Sequence, residues 1–171
     1  MEQALFWERA LFWCFGGLSI VSAAGVVLNV RSTVNSALSL VVCMLSLAVL
    51  FIMLHAEFAG VLQVMIYAGA IVVLFLFVIM LLNLQGGAMG AESQPWLKIV
   101  GAGLVIGATV QLTALLPGPP RPWPEIPDGF GQVRFIGMSL FTDYVLAFEL
   151  AGVLLLAGIV AAVVLAKKSL D

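Results

Sequence analysis

The stretch Phe58–Leu84, FAGVLQVMIYAGAIVVLFLFVIMLLNL, holds 27 residues without a charge. A bilayer's hydrocarbon core is about 30 Å thick and needs roughly 20 helical residues to cross it. A spanning strand alternates polar and apolar residues; this stretch is continuously apolar, so it reads as a helix whose backbone groups bond within the segment. Working outward, four more apolar runs lie near Ala10–Val30, Val34–Leu54, Leu97–Leu116 and Tyr144–Ala166. The expected fold is an all-α integral membrane protein of five transmembrane helices, forming a single membrane domain over residues 1–171.

Composition agrees. The chain is 63% hydrophobic and 9% charged, where soluble domains carry about 25% charged residues, and mean hydropathy is +1.20. A net charge of −2 without a basic cluster excludes a nucleic-acid footprint. The two cysteines, Cys14 and Cys43, are too few for a disulfide framework or a closed metal site. No GxGxxG, phosphate-binding loop, CxxC or histidine pair occurs, so no cofactor or metal is expected on this chain. Glu2 and Glu8 precede the first apolar run; a secretory signal would carry positive charge there, so that run is read as a retained helix.

The links Arg31–Thr33 and His55–Glu57 are three residues each, which makes the first three helices antiparallel neighbours; Thr33 is a candidate N-cap. The third link, Gln85–Trp96, is glycine-rich. The fourth, Pro117–Asp143, is expected to be a proline-rich loop, with six of the seven prolines within Pro117–Pro127; such density favours extended chain over helix. One side of the membrane receives Arg9, Arg121 and Arg134 with most of the acids; the other receives Arg31, Lys98, Lys167 and Lys168. Four basic residues against three put the C-terminus inside and the N-terminus outside.

Small residues mark where membrane helices approach closely. The second helix places Ser36, Ser39, Cys43 and Ser46 at spacings of 3, 4 and 3, the fourth carries Gly103 and Gly107, and the fifth carries Ala147, Ala151, Gly152, Gly158 and Ala162. Seams on so many helices imply a bundle larger than this chain. The third helix would measure about 40 Å as a regular α-helix, about 10 Å beyond the core, so it must tilt, kink or contain an irregular turn. On 3.6-residue spacing, Gly60, Gln63 and Tyr67 share one of its faces, and Gly69 sits where helices distort. Glu149 is the one acid well inside a span, about 7.5 Å from the start of the fifth helix, and intramembrane acids are functional candidates. His55, Glu57 and Asp143 lie at helix ends and are read as interfacial.

Ala56–Leu84, with YAGA followed by VLFLFVIMLLN, resembles the third helix of the subunit J family of NADH:quinone oxidoreductase, the subunit 6 of mitochondrial complex I. Ser139–Ala166, SLFTDYVLAFELAGVLLLAGIVAAVVLA, resembles the family's last helix. The resemblance implies a membrane-arm subunit in the bacterial cytoplasmic membrane, near the quinone-reducing end, among other small helical subunits and the quinone-site subunit. It implies no redox centre here, while NAD, FMN, iron–sulfur clusters and quinone serve the complex elsewhere. It implies a π-bulge in the third helix, whose switching between π and α turns opens or closes a water path for protons. Tyr67 and Gly69 then form the hinge, Phe75 is a gating side chain, and Glu149 matches the acid of the last helix. Some members carry glutamate where this chain has Gln63. Two other readings are a purely structural assembly subunit, and the equivalent subunit of a membrane-bound hydrogenase or antiporter complex.

Overall fold

The computed structural model describes residues 2–29, 32–82, 95–115 and 129–167. These form six helices: α1 (Glu2–Leu28), α2 (Thr33–Met53), α3 (Glu57–Leu81), α4 (Pro95–Leu115), α5 (Val133–Thr142) and α6 (Val145–Ala166). No β-strand occurs among the described residues. Among the described residues, four helices are long and apolar enough to cross a membrane: α2, α3, α6 and the Phe6–Leu28 part of α1. The apolar part of α4, Ile99–Leu115, is shorter.

Three local expectations change. The first helix starts at Glu2 rather than Ala10, because Glu, Gln, Ala and Leu are good helix formers and a hydropathy boundary marks where charge ends, not where winding begins. The cap of α2 is Ser32, not Thr33: the Ser32 side chain accepts from the Asn35 N–H at 3.3 Å. Within the expected loop 117–143, Val133–Thr142 is helical. No proline follows Pro127, and Val133, Ile136 and Leu140 recur at helical spacing. The proline run Pro117–Pro127 itself lies outside the described residues.

The core sits on both sides of α2. Toward α1, the small face read from the sequence meets a matching stripe, Ser19, Ser22 and Gly25. Ser36 Oγ donates to the Val26 carbonyl. Ser39 Oγ would stand 3.1 Å from a Cβ placed on Gly25, and Ser19 Oγ lies 3.6 Å from Cys43 Sγ. Toward α3, a Cβ on Gly60 would fall 2.7 Å from Ile52 Cγ1 and 3.0 Å from the Ala48 carbonyl oxygen. By contrast, every described side chain of α4 and α6 is exposed within the chain.

The corner between α2 and α3 is closed by backbone. His55 adopts φ 59°; the Ala56 N–H bonds to Phe51 O at 2.9 Å and the His55 N–H to Ile52 O at 3.1 Å, the double bond that ends a helix on a left-handed residue. Gly131, at φ 77°, lies against this corner, and its carbonyl accepts the otherwise orphaned Phe58 N–H of α3 at 3.1 Å. A Cβ on Gly131 would overlap the His55 carbonyl, whereas one on Gly129, also at positive φ, would meet only the Gln132 side chain at 3.5 Å. Gly129→Ala is therefore expected to cost about 1 kcal/mol for its left-handed backbone. Gly131→Ala carries the same cost and also breaks the joint. In thermal unfolding of the detergent-solubilised protein, the second variant should melt distinctly below the first; equal midpoints would contradict this corner.

Candidate functional site: the π-helical segment of α3

α3 is not uniformly wound. Glu57–Leu62 and Val73–Leu81 are α-helical, and the ten residues between them, Gln63–Val72, are π-helical. π-turns bond i to i+5 and concentrate at functional positions. The wider turn also advances less per residue, which shortens α3 toward the thickness of the hydrocarbon core.

The winding decides which side chains reach the core. The buried residues of α3 are Gly60, Gln63, Ala68, Val72 and Ile79. From Gln63 the seam steps five residues to Ala68, not four to Tyr67. Gln63 is 8% exposed and Ala68 6%, while Tyr67 is 51% exposed. The expected common face of Gly60, Gln63 and Tyr67 therefore breaks: Gly60 and Gln63 keep it, and Tyr67 is turned outward. The expectation assumed 3.6 residues per turn, which does not hold in this segment.

Gln63, the first residue of the segment, donates its side-chain amide to Met44 Sδ of α2 at 3.0 Å. Thioether sulfur is a weak acceptor, so this anchor is light. Gly69 is exposed; a Cβ there would stand 3.2 Å from the Val64 carbonyl oxygen, five residues back along the π ladder. Phe75, in the α-helical part beyond, edges a cavity of about 270 Å³ with Ile79, Leu40 and Ala37, rimmed by Thr33 and Ser36. Gln63, Tyr67, Gly69 and Phe75 thus line one continuous stretch of α3. Glu149 stands apart on α6, exposed, with no hydrogen bond or ion pair among the described residues. No group of three or more potential metal ligands occurs among the described residues. Met44 and Ala68 were not foreseen; Ala68 is invisible to any reading that assumes regular winding, and a methionine as amide partner has no sequence signature.

Residues 22–165 match the family of NADH-ubiquinone/plastoquinone oxidoreductase chain 6. The chain belongs to this family. Among its relatives, NADH-quinone oxidoreductase subunit J of Escherichia coli K12 is 39% identical over 157 residues, covering 91% of this chain and 84% of the relative. The Pseudomonas aeruginosa subunit J is 35% identical, covering 88% and 92%. A protein named F(420)H(2) dehydrogenase subunit J, from Methanosarcina mazei, is 33% identical over 168 residues, covering 98% and 92%. Relatives of this chain thus carry the names of different complexes, and a multi-pass membrane subunit of a quinone oxidoreductase complex is what family and fold jointly establish.

The inward Ala68 and outward Tyr67 give a direct test of the winding. Ala68→Leu should overpack the seam and cost about 1–3 kcal/mol. Tyr67→Leu should cost far less in the same thermal-unfolding measurement. The reverse order would mean that α3 is regular at this point.

Proposed function

We propose that this chain is a membrane-arm subunit of a proton-translocating NADH:quinone oxidoreductase, and that the π segment of α3 is its conformational gate. The observation that carries this is the five-residue step from Gln63 to Ala68. Rewinding one π-turn as α would rotate the part of the helix beyond it by about 100°. Tyr67 would then replace Ala68 on the face toward α2, and Phe75 and Ile79 would turn relative to the cavity they edge. A large polar ring in place of a methyl group changes both the bulk and the hydrogen-bonding capacity of the seam, which is what a gate on a water path requires. Nothing between the two forms needs a hinge loop: the light Gln63–Met44 bond and the uncrowded backbone at Gly69 permit the change in place.

The complex's NAD, FMN, iron–sulfur clusters and quinone belong, on this reading, to other subunits. Neighbouring membrane-arm subunits cover α4 and α6, whose small-residue faces meet no neighbour among the described residues: a Cβ on Gly103, Gly107, Gly152 or Gly158 would find open space there. Glu149 then faces a partner or a polar path rather than lipid, since an isolated acid in hydrocarbon is costly.

We read the topology as five spans. Tyr144, at the start of α6, lines a cavity together with Ala56 and Ala59, at the start of α3. The two helices therefore start on one side of the membrane. α3 ends on the other side, so the chain crosses once more in between, and α4 is the described helix available for it. Loop charges favour an external N-terminus and an internal C-terminus in a bacterial cytoplasmic membrane.

The bare faces of α4 and α6 also suit a purely structural subunit, and variants separate the readings. Gly69→Ala crowds the Val64 carbonyl and raises α propensity by about 1 kcal/mol, roughly fivefold in the π–α balance. Gly69→Ala and Tyr67→Phe should leave the complex assembled on native gels while lowering coupled quinone reduction and proton pumping severalfold. Normal pumping in both variants would leave α3 as scaffold only.

A further inference from the structure

We propose that α5 and the α2–α3 corner together form a binding site for an anionic glycerophospholipid. The corner joins the ends of two spans, and α5 runs from that corner into the start of α6. It therefore lies at the membrane boundary, where headgroups meet acyl chains. Two cavities adjoin it, sharing Phe135. One, of about 320 Å³, is almost wholly apolar, lined by Ala56, Ala59, Phe135, Ile136, Leu140 and Tyr144 among others. The other, also of about 320 Å³, is half polar and lined by Gly129, Gln132, Arg134, Phe135 and Met138. Each is within the range of small-ligand pockets, about 300–1,000 Å³.

The chemistry of the pair is that of a lipid split at its ester linkages. The apolar groove takes acyl chain. Arg134 is exposed and has no ion pair or hydrogen bond among the described residues, and its planar guanidinium suits a phosphodiester in bidentate fashion. The Gln132 amide supplies a further donor. Among the described residues no carboxylate lines the polar cavity, and Glu57 and Asp143 line neither. Among these residues a choline or ethanolamine headgroup finds no counter-charge, while the Arg134 guanidinium favours a net-negative headgroup such as phosphoglycerol. Tyr144, which also lines the apolar cavity, is of the residue type that settles at this depth. The groove rests on a fixed floor, because Gly131 ties α5 to the corner through the Phe58 N–H.

The test uses the intact complex in phosphatidylcholine vesicles doped with phosphatidylglycerol carrying a photoactivatable acyl chain. After illumination, labelled peptides are identified by mass spectrometry. Labelling is expected on peptides containing Ala56–Ala59 and 130–144, and excess plain phosphatidylglycerol should suppress it while excess phosphatidylcholine does not. Arg134→Ala should reduce the labelling about fivefold, the weight of one basic residue at a lipid surface, and Arg134→Lys should retain most of it. Three results overturn the proposal: equal competition by phosphatidylcholine, which means annular lipid; cross-linking of these peptides to a neighbouring subunit instead of lipid; or undiminished labelling in an assembled Arg134→Ala complex. Should that variant fail to assemble, the competition on the unmodified complex decides alone.

Discussion

Everything in this chain depends on how closely α2 is approached by its two neighbours. In hydrocarbon the backbone groups of each helix are satisfied within it, so apolar helices gain nothing by hiding from lipid and associate only as far as their surfaces fit. α2 solves this with serine, cysteine and alanine on one side and the Ala48–Gly60 crossing on the other. Its hydroxyls are largely self-satisfied: Ser39 donates to Asn35 O at 2.9 Å and Ser46 to Val42 O at 2.8 Å. Bonds between membrane helices are worth on average about 0.6 kcal/mol, so the Ser36–Val26 bond orients α1 more than it holds it. Close dispersion contact carries the rest.

Against that seam, the π segment is a solution to a packing problem. A four-residue step from Gln63 would set the Tyr67 ring, in place of the Ala68 methyl group, on the face toward α2. The five-residue step supplies that methyl group and turns the ring out. In the proposed gate, the alternative to this arrangement is a rewinding by one whole residue. Packed interfaces tend to be bistable rather than continuously deformable, and the proposed gate draws on that.

Much of this was legible before any coordinates, and the parts that were not share a cause. Uncharged runs announce spans because charge is excluded from hydrocarbon, so α2, α3 and α6 were placed to within a few residues. The small face of α2 was legible for the same reason that it packs. Gln63 stood out as a polar residue in an apolar helix. Helix ends were less certain, since α1 begins among charged residues that hydropathy discounts. α5 was hidden behind the prolines that precede it. The exchange of Tyr67 for Ala68, and the grip of Gly131 on the His55 corner, depend on backbone geometry and on contacts between segments far apart in sequence. Residue types do not encode either one locally.

The π segment also has a meaning for chain length. A helix that steps five residues where four would do holds one residue more than the same path needs, like a belt fastened one hole loose. Dropping a single residue between Gln63 and Ala68 would let α3 run as a plain α-helix with the buried faces on both sides still in phase. Relatives that lack the slack would differ from this chain by a one-residue gap at that place, with nothing displaced before or after it. The surplus residue is therefore held in reserve, inside a helix whose ends are fixed by the corner at His55 on one side and the bilayer boundary on the other.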